Sequence, residues 1–158
     1  MNKLVRGILG LVMTLFLAAP VAADGLFMVR MDKAFPEAMT LLQSAISSRG
    51  YTVTRLQQVN ENLQRREFKS DMYQVVYFGK LEEIKKISTQ QPELIPFLPL
   101  NITIFAEGEQ SILVSSHPST LRQFFPDPAL GPVFDRWEND LGAIMDELRE
   151  DSGRKMLK

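Results

Sequence analysis

The stretch 98–118, LPLNITIFAEGEQSILVSSHP, decides the fold. Leu100 to Ala106 and Ser111 to Ser116 are two runs of strand length and strand composition. Glu107-Gly108-Glu109 between them reads as a tight turn, so the two runs form a β-hairpin. Leu100, Ile102 and Ile104 are the expected inward set of the first strand, with Ile112 and Val114 inward on the second. Phe105 and Leu113 fall out of phase with those sets and are expected on the other side of the sheet.

Upstream, Tyr73 to Phe78 (YQVVYF) is a further strand. Tyr73, Val75 and Tyr77 share one face, and Val76 and Phe78 the other, so apolar side chains on both faces suggest a central position. Val76 and Phe78 are expected beside Phe105 and Leu113. Lys80 to Thr89 is a short amphipathic helix with Leu81, Ile84 and Ile87 inward, and Pro92, Pro96 and Pro99 then punctuate a loop. Asn60 to Phe68 is polar, a short helix or a loop. Earlier still, Gly25 to Met31 and Tyr51 to Gln58 are strands that flank a helix. In that helix Phe35, Ala38, Met39, Leu42, Ala45 and Ile46 recur at helical spacing. Asp32 is an N-cap or turn residue, Pro36 suits a first turn, and Gly50 suits the C′ position because it takes positive φ without strain.

Downstream, Leu121 to Pro132 is irregular and rich in Phe and Pro. It leads into a last helix with one apolar stripe of Phe134, Trp137, Leu141, Ile144, Met145 and Leu148. Asp135, Glu138, Asp140, Glu147 and Arg149 are expected on its solvated side. Five strands with two substantial helices in this order indicate an α+β fold, both long helices packed on one face of the sheet. Residues 24–150 form a single domain, and 151–158 a polar flexible tail.

The chain has 158 residues, a formal net charge of −1, no cysteine and one histidine. Zero cysteine excludes thiol catalysis, disulfide exchange, thiolate metal sites and CxxCH haem attachment. A single histidine, His117, excludes a multi-histidine zinc or copper site within one protomer. The mild acidity provides no electrostatic footprint for nucleic acid and no polybasic cluster for an anionic membrane. Residues 1–23 read as a secretory signal peptide. Lys3 and Arg6 give a basic start, Ile8 to Leu17 is an apolar run, and Val21-Ala22-Ala23 offers a cleavage site. The run is shorter than the roughly 20 residues of a membrane-spanning helix. A periplasmic or secreted protein is expected, with no stable membrane span after cleavage. Left uncleaved, the segment would tether the domain.

Several motifs in this order resemble the domain of unknown function 302 family. They are Arg49-Gly50-Tyr51 closing a helix, the Tyr73–Phe78 strand, Leu98-Pro99-Leu100 with Ile102 and Ile104, and Ser116-His117-Pro118. The resemblance covers about residues 25 to 148. It implies a two-layer β-α-β(4)-α sandwich of the TATA-binding-protein-like class, with a five-stranded, mostly antiparallel sheet. It also implies frequent assembly as a homodimer, and no activity. Leu100 stands where the family often has Cys or Met, so a role tied to that sulfur does not carry over.

No residue pattern calls for a cofactor, a metal ion or a catalytic set. The binding candidates are His117, Phe97, Leu98 and Phe105. His117 is the one side chain that titrates near neutrality when unperturbed; the alternative is a loop histidine before Pro118. Phe97 and Leu98 belong to Leu94–Leu100, an apolar stretch that either rims a pocket or enters the core. Phe105 marks the second sheet face, which needs a homodimer partner, a small apolar ligand, another exported protein or the Phe124-Phe125-Pro126 tail to cover it. Ser115, Ser116 and Ser119 lack the GxSxG elbow of a serine hydrolase. The expected function is an exported, non-enzymatic binding or accessory domain acting as a homodimer. The alternatives are an enzyme with His117 as general base and an accessory subunit of a periplasmic redox or sulfur system. An enzyme should place His117 in a concave site with a carboxylate or hydroxyl in reach.

Overall fold

The computed structural model describes residues 25–59 and 72–153. The expected signal peptide and the Asn60–Phe68 segment lie outside these residues. The elements are β1 (Leu26–Met31), α1 (Phe35–Ser48), β2 (Thr52–Gln58), β3 (Tyr73–Gly79), α2 (Leu81–Gln90), β4 (Leu100–Glu107), β5 (Gln110–Ser116) and α3 (Gly131–Gly153). Two 3-10 segments, Pro92–Phe97 and Pro118–Gln123, replace the loops expected there. The strands form a five-stranded sheet of order β1-β5-β4-β3-β2, every neighbour antiparallel. The fold is α+β.

The central hairpin closes through Gly108, whose φ of 60° is a left-handed conformation that favours glycine. The end of α1 is a Schellman motif. Gly50, at φ 73°, donates to the Ser47 carbonyl at 3.0 Å, and Tyr51 N–H donates to the Ile46 carbonyl at 3.3 Å. At the other end Ala34, not Asp32, is the N-cap residue. The Asp32 backbone N–H instead donates to Ser152 Oγ at 2.8 Å, because α3 continues past Glu150 to Gly153.

The core lies between one sheet face and the pair α1 and α3. Val29 and Met31 of β1, Val76 and Phe78 of β3, Ile102 and Ile104 of β4 and Leu113 of β5 meet Leu42 and Ile46 of α1 and Leu141, Ile144 and Met145 of α3. Two expectations of phase are corrected here. Leu113 faces the core, in register with Ile104 and Val29, whereas Ile112 and Val114 lie on the opposite face. Val76 and Phe78 likewise pair with Ile102 and Leu100 on the core face, not with Phe105. The inward side of β5 carries two serines around Leu113, which disguised its phase. Both are buried because their hydroxyls are satisfied: Ser111 Oγ donates to the Lys33 carbonyl at 2.9 Å, and Ser115 Oγ to the Asn101 carbonyl at 2.7 Å. Leu81, expected inward on α2, is 57% exposed, and Ile87 is the buried residue of that helix.

The opposite sheet face runs from Met28 on β1 through Val114 on β5 and Thr103 on β4 to Val75 on β3. Met28 is 59% exposed. The Phe124-Phe125-Pro126 tail does not fold over this face. Phe125 packs into a second apolar cluster built on Ile87, Leu94, Leu130, Phe134 and Trp137.

Candidate functional site

The second cluster underlies one end of the sheet, where β4 begins and β5 ends. Leu98, Leu100 and Leu121 pack against it. Above them is a cavity of about 260 Å³. One wall is Pro96 to Leu100, the other is Ser115 to Pro118 with Thr120 and Leu121, and Leu141 of α3 lines it as well. Tyr77 and Asn101, adjacent in register and both on the outer sheet face, also line it. The cavity therefore lies between the two 3-10 segments. Both segments begin at a proline: Pro92 follows the end of α2, and Pro118, which cannot donate to a sheet ladder, turns the chain away from the end of β5. The Leu98–Pro99 peptide bond within the first wall is cis.

His117 directly follows β5 and enters the second wall. Its backbone N–H donates to the Gly25 carbonyl at 3.0 Å, which fixes it beside the start of β1. Its ring stacks on Phe27, with centroids 3.8 Å apart and planes at 24°. Its Nδ1 is hydrogen-bonded to Oε1 of Glu138. Oε2 of the same carboxylate accepts the Ser119 backbone N–H at 3.0 Å. Burial alone would raise the Glu138 carboxyl, but the hydrogen bonds from Ser119 and His117 outweigh it and hold it below its ordinary value. The carboxylate is thus ionised and fully an acceptor, and it orients the imidazole. The ring is held on one face by Phe27 and on one edge by Glu138. Nε2 has no protein partner among the described residues and is not a buried unsatisfied atom. It is the polar atom that His117 has left to offer.

Of the four binding candidates, His117, Phe97 and Leu98 line this one cavity. Phe105 does not. It lies on the outer sheet face in an edge-to-face contact with Tyr73, centroids 6.1 Å apart. The apolar stretch Leu94–Leu100 divides between both expected roles. Leu94 is fully buried, while Ile95 and Phe97 are 49% and 44% exposed. Phe97 meets Phe125 edge to face, with centroids 5.5 Å apart. Ser115 is committed to the Asn101 carbonyl, and no serine bonds His117 among the described residues.

Glu138 is the residue that sequence reasoning missed. It was assigned to the solvated side of α3. It lies one position beyond Trp137 of the apolar stripe, at the stripe's border, so its side chain reaches around to the Pro118 turn. A similar border position is taken by Asp140. It accepts the Tyr51 hydroxyl at 2.7 Å, and the Lys80 ammonium sits 4.5 Å above the Tyr51 ring. Burial, followed by the bond to Asp140, pushes the Tyr51 phenol above its ordinary value. Among the described residues no group of three or more His, Asp or Glu is placed to hold a metal ion.

No curated protein matches the chain. A crystal structure of an uncharacterized conserved DUF302 protein from Bacillus stearothermophilus is similar in fold. It has a TM-score of 0.71 at 21% sequence identity, and the match covers 80% of this chain and 100% of that one. The model of the domain of unknown function DUF302 matches residues 27–148, from the Phe27 that stacks on His117 to the last buried leucine of α3, and the chain belongs to that family.

Proposed function

We propose that this chain is an exported binding domain whose ligand enters the cavity between the two 3-10 segments and is held there by His117. One observation carries the reading: the sole imidazole of the chain lines a concave site of mixed polar and apolar character while Glu138 and Phe27 fix its orientation. Concave sites that combine apolar side chains such as Pro96, Phe97, Leu98 and Leu121 with a few placed polar groups are the usual form of a small-molecule site. At about 260 Å³ it is just below the roughly 300–1,000 Å³ of sites for drug-sized ligands, so it suits a small molecule or the head of a larger one. Exposed Phe97 adds to the apolar part of the lining.

Native mass spectrometry of the protein purified from an exporting host tests this reading. A retained small molecule is expected, and it should be lost in Asn101→Trp, which fills the mouth from an exposed position. A bare protein that also binds no member of a fragment library would contradict it.

A second reading is favoured by the Glu138 carboxylate on Nδ1. A carboxylate in that place strengthens a histidine as general base, so the bound molecule would be a substrate that loses a proton to Nε2. Chemical change of the bound molecule, abolished in His117→Gln, separates catalysis from binding. We further propose that the chain forms a homodimer through its outer sheet face, where Met28, Val114, Val75 and Phe105 present apolar side chains around Thr103. Export is supported by the basic start, apolar run and small-residue site of residues 1–23.

A further inference from the structure

The chemistry of the cavity narrows its ligand to one class, an inference that rests on the binding reading above. Glu138 is an acceptor, so a neutral His117 carries its proton on Nδ1 and presents a bare lone pair at Nε2. A lone pair asks the ligand for a hydrogen-bond donor. The lining contains no Lys, Arg, Asp or Glu among the described residues. A carboxylate ligand would find no fixed countercharge and would stand close to Glu138, and an ammonium would find no acid within the cavity. Burying either charge there without a partner is costly. The ligand is therefore neutral. The walls carry side chains with few rotatable bonds, Pro96, Phe97 and Pro99 on one side and Pro118 on the other. Such walls favour a planar ring over a flexible chain, because a ring gives large contact area with little conformational entropy to lose.

We propose that the cavity takes a neutral phenol-type ligand, its ring between the proline-rich walls and its O–H donating to Nε2 of His117. An aromatic hydroxyl is a stronger donor than an aliphatic one, and it is uncharged near neutral pH, where phenols keep their proton. Asn101, Tyr77 and Ser116 at the mouth leave room for a second polar substituent on the ring.

The chain has one histidine, so its imidazole nitrogens can be followed without ambiguity in the full protein labelled with nitrogen-15 histidine. Phenol, toluene and benzoate are titrated separately at millimolar concentration, with the methyl signals of Leu98 and Leu121 followed alongside. Phenol is expected to move the Nε2 resonance saturably and to bind about tenfold more tightly than toluene, as one net hydrogen bond implies. Benzoate is expected to bind more weakly than phenol. Equal binding of toluene and phenol with Nε2 unmoved would overturn the phenol assignment while leaving the cavity a binding site. Tighter binding of benzoate would overturn it in favour of an anion site. If none of the three moves either the imidazole or the leucine methyls, the assignment and the binding reading fail together.

Discussion

Oε2 of Glu138 accepts the backbone N–H of Ser119 at 3.0 Å, while its other oxygen holds His117 on the far side of Pro118. One carboxylate from α3 thus clamps the turn that leaves β5. Glu138→Gln keeps the shape of the side chain but removes its charge. Hydrogen bonds to a charged group contribute about 1.5–3 kcal/mol, so the variant should lose stability on the order of 1–2 kcal/mol once partial exposure is discounted. Urea denaturation measures this. The same variant should weaken ligand binding, because a neutral amide no longer dictates which imidazole nitrogen carries the proton.

The lowered carboxyl of Glu138 also sets a pH dependence. Its folded pKa lies below its unfolded one, so the unfolded chain binds the proton first as pH falls. The stabilisation is fully present above the ordinary glutamate value of 4.5 and is lost as pH drops through the lowered folded value. Unfolding curves taken from pH 6 downward should show a steeper acid loss in the wild type than in Glu138→Gln. Parallel curves would remove Glu138 from the account.

The Tyr51 phenol acts at the other extreme. Its folded pKa is raised, so the contribution is intact below the ordinary value of 10.0 and is lost as pH rises beyond it. Tyr51→Phe should abolish the alkaline part of the stability profile. It should also cost about 1 kcal/mol near neutrality, since Asp140 loses the Tyr51 hydroxyl and keeps the Lys80 ammonium at 3.6 Å.

Gly50 isolates a backbone effect. An added Cβ would meet nothing within 4 Å, so Gly50→Ala changes conformational strain alone. At φ 73° the expected cost is about 1 kcal/mol, read as a lower denaturation midpoint with an unchanged slope.

Met28 tests the outer sheet face. It is 59% exposed and makes no part of the core, so Met28→Glu should leave unfolding of the subunit nearly unchanged. If the face joins two copies, sedimentation should show the variant as a monomer where the wild type is a dimer. A wild-type monomer would end the homodimer proposal.

The element order was legible in the sequence because it rests on strong local signals: the turn at Gly108, the helix stop at Gly50, and the apolar stripe from Phe134 to Leu148. The phase of β5 was not legible. Apolar side chains occupy both of its faces, and the inward serines are satisfied by the Lys33 and Asn101 carbonyls, which no local pattern foretells. In the site, Phe97, Leu98 and His117 could be singled out from apolarity and from the rarity of histidine. Their meeting around one cavity could not, because it depends on two proline-initiated turns approaching across the sheet end. Glu138 was hidden for a related reason. A helix border residue reads as solvated unless the chain that wraps against it is known.

The most direct test of the central claim is the nitrogen-15 spectrum of the His117 side chain in the ligand-free protein, at a pH where the imidazole is neutral. If Glu138 holds the proton on Nδ1, the spectrum should show a protonated Nδ1 and a bare Nε2, and Glu138→Gln should erase that preference. A spectrum with the proton on Nε2, unchanged in Glu138→Gln, would contradict the claim that this pair presents an oriented acceptor to the cavity.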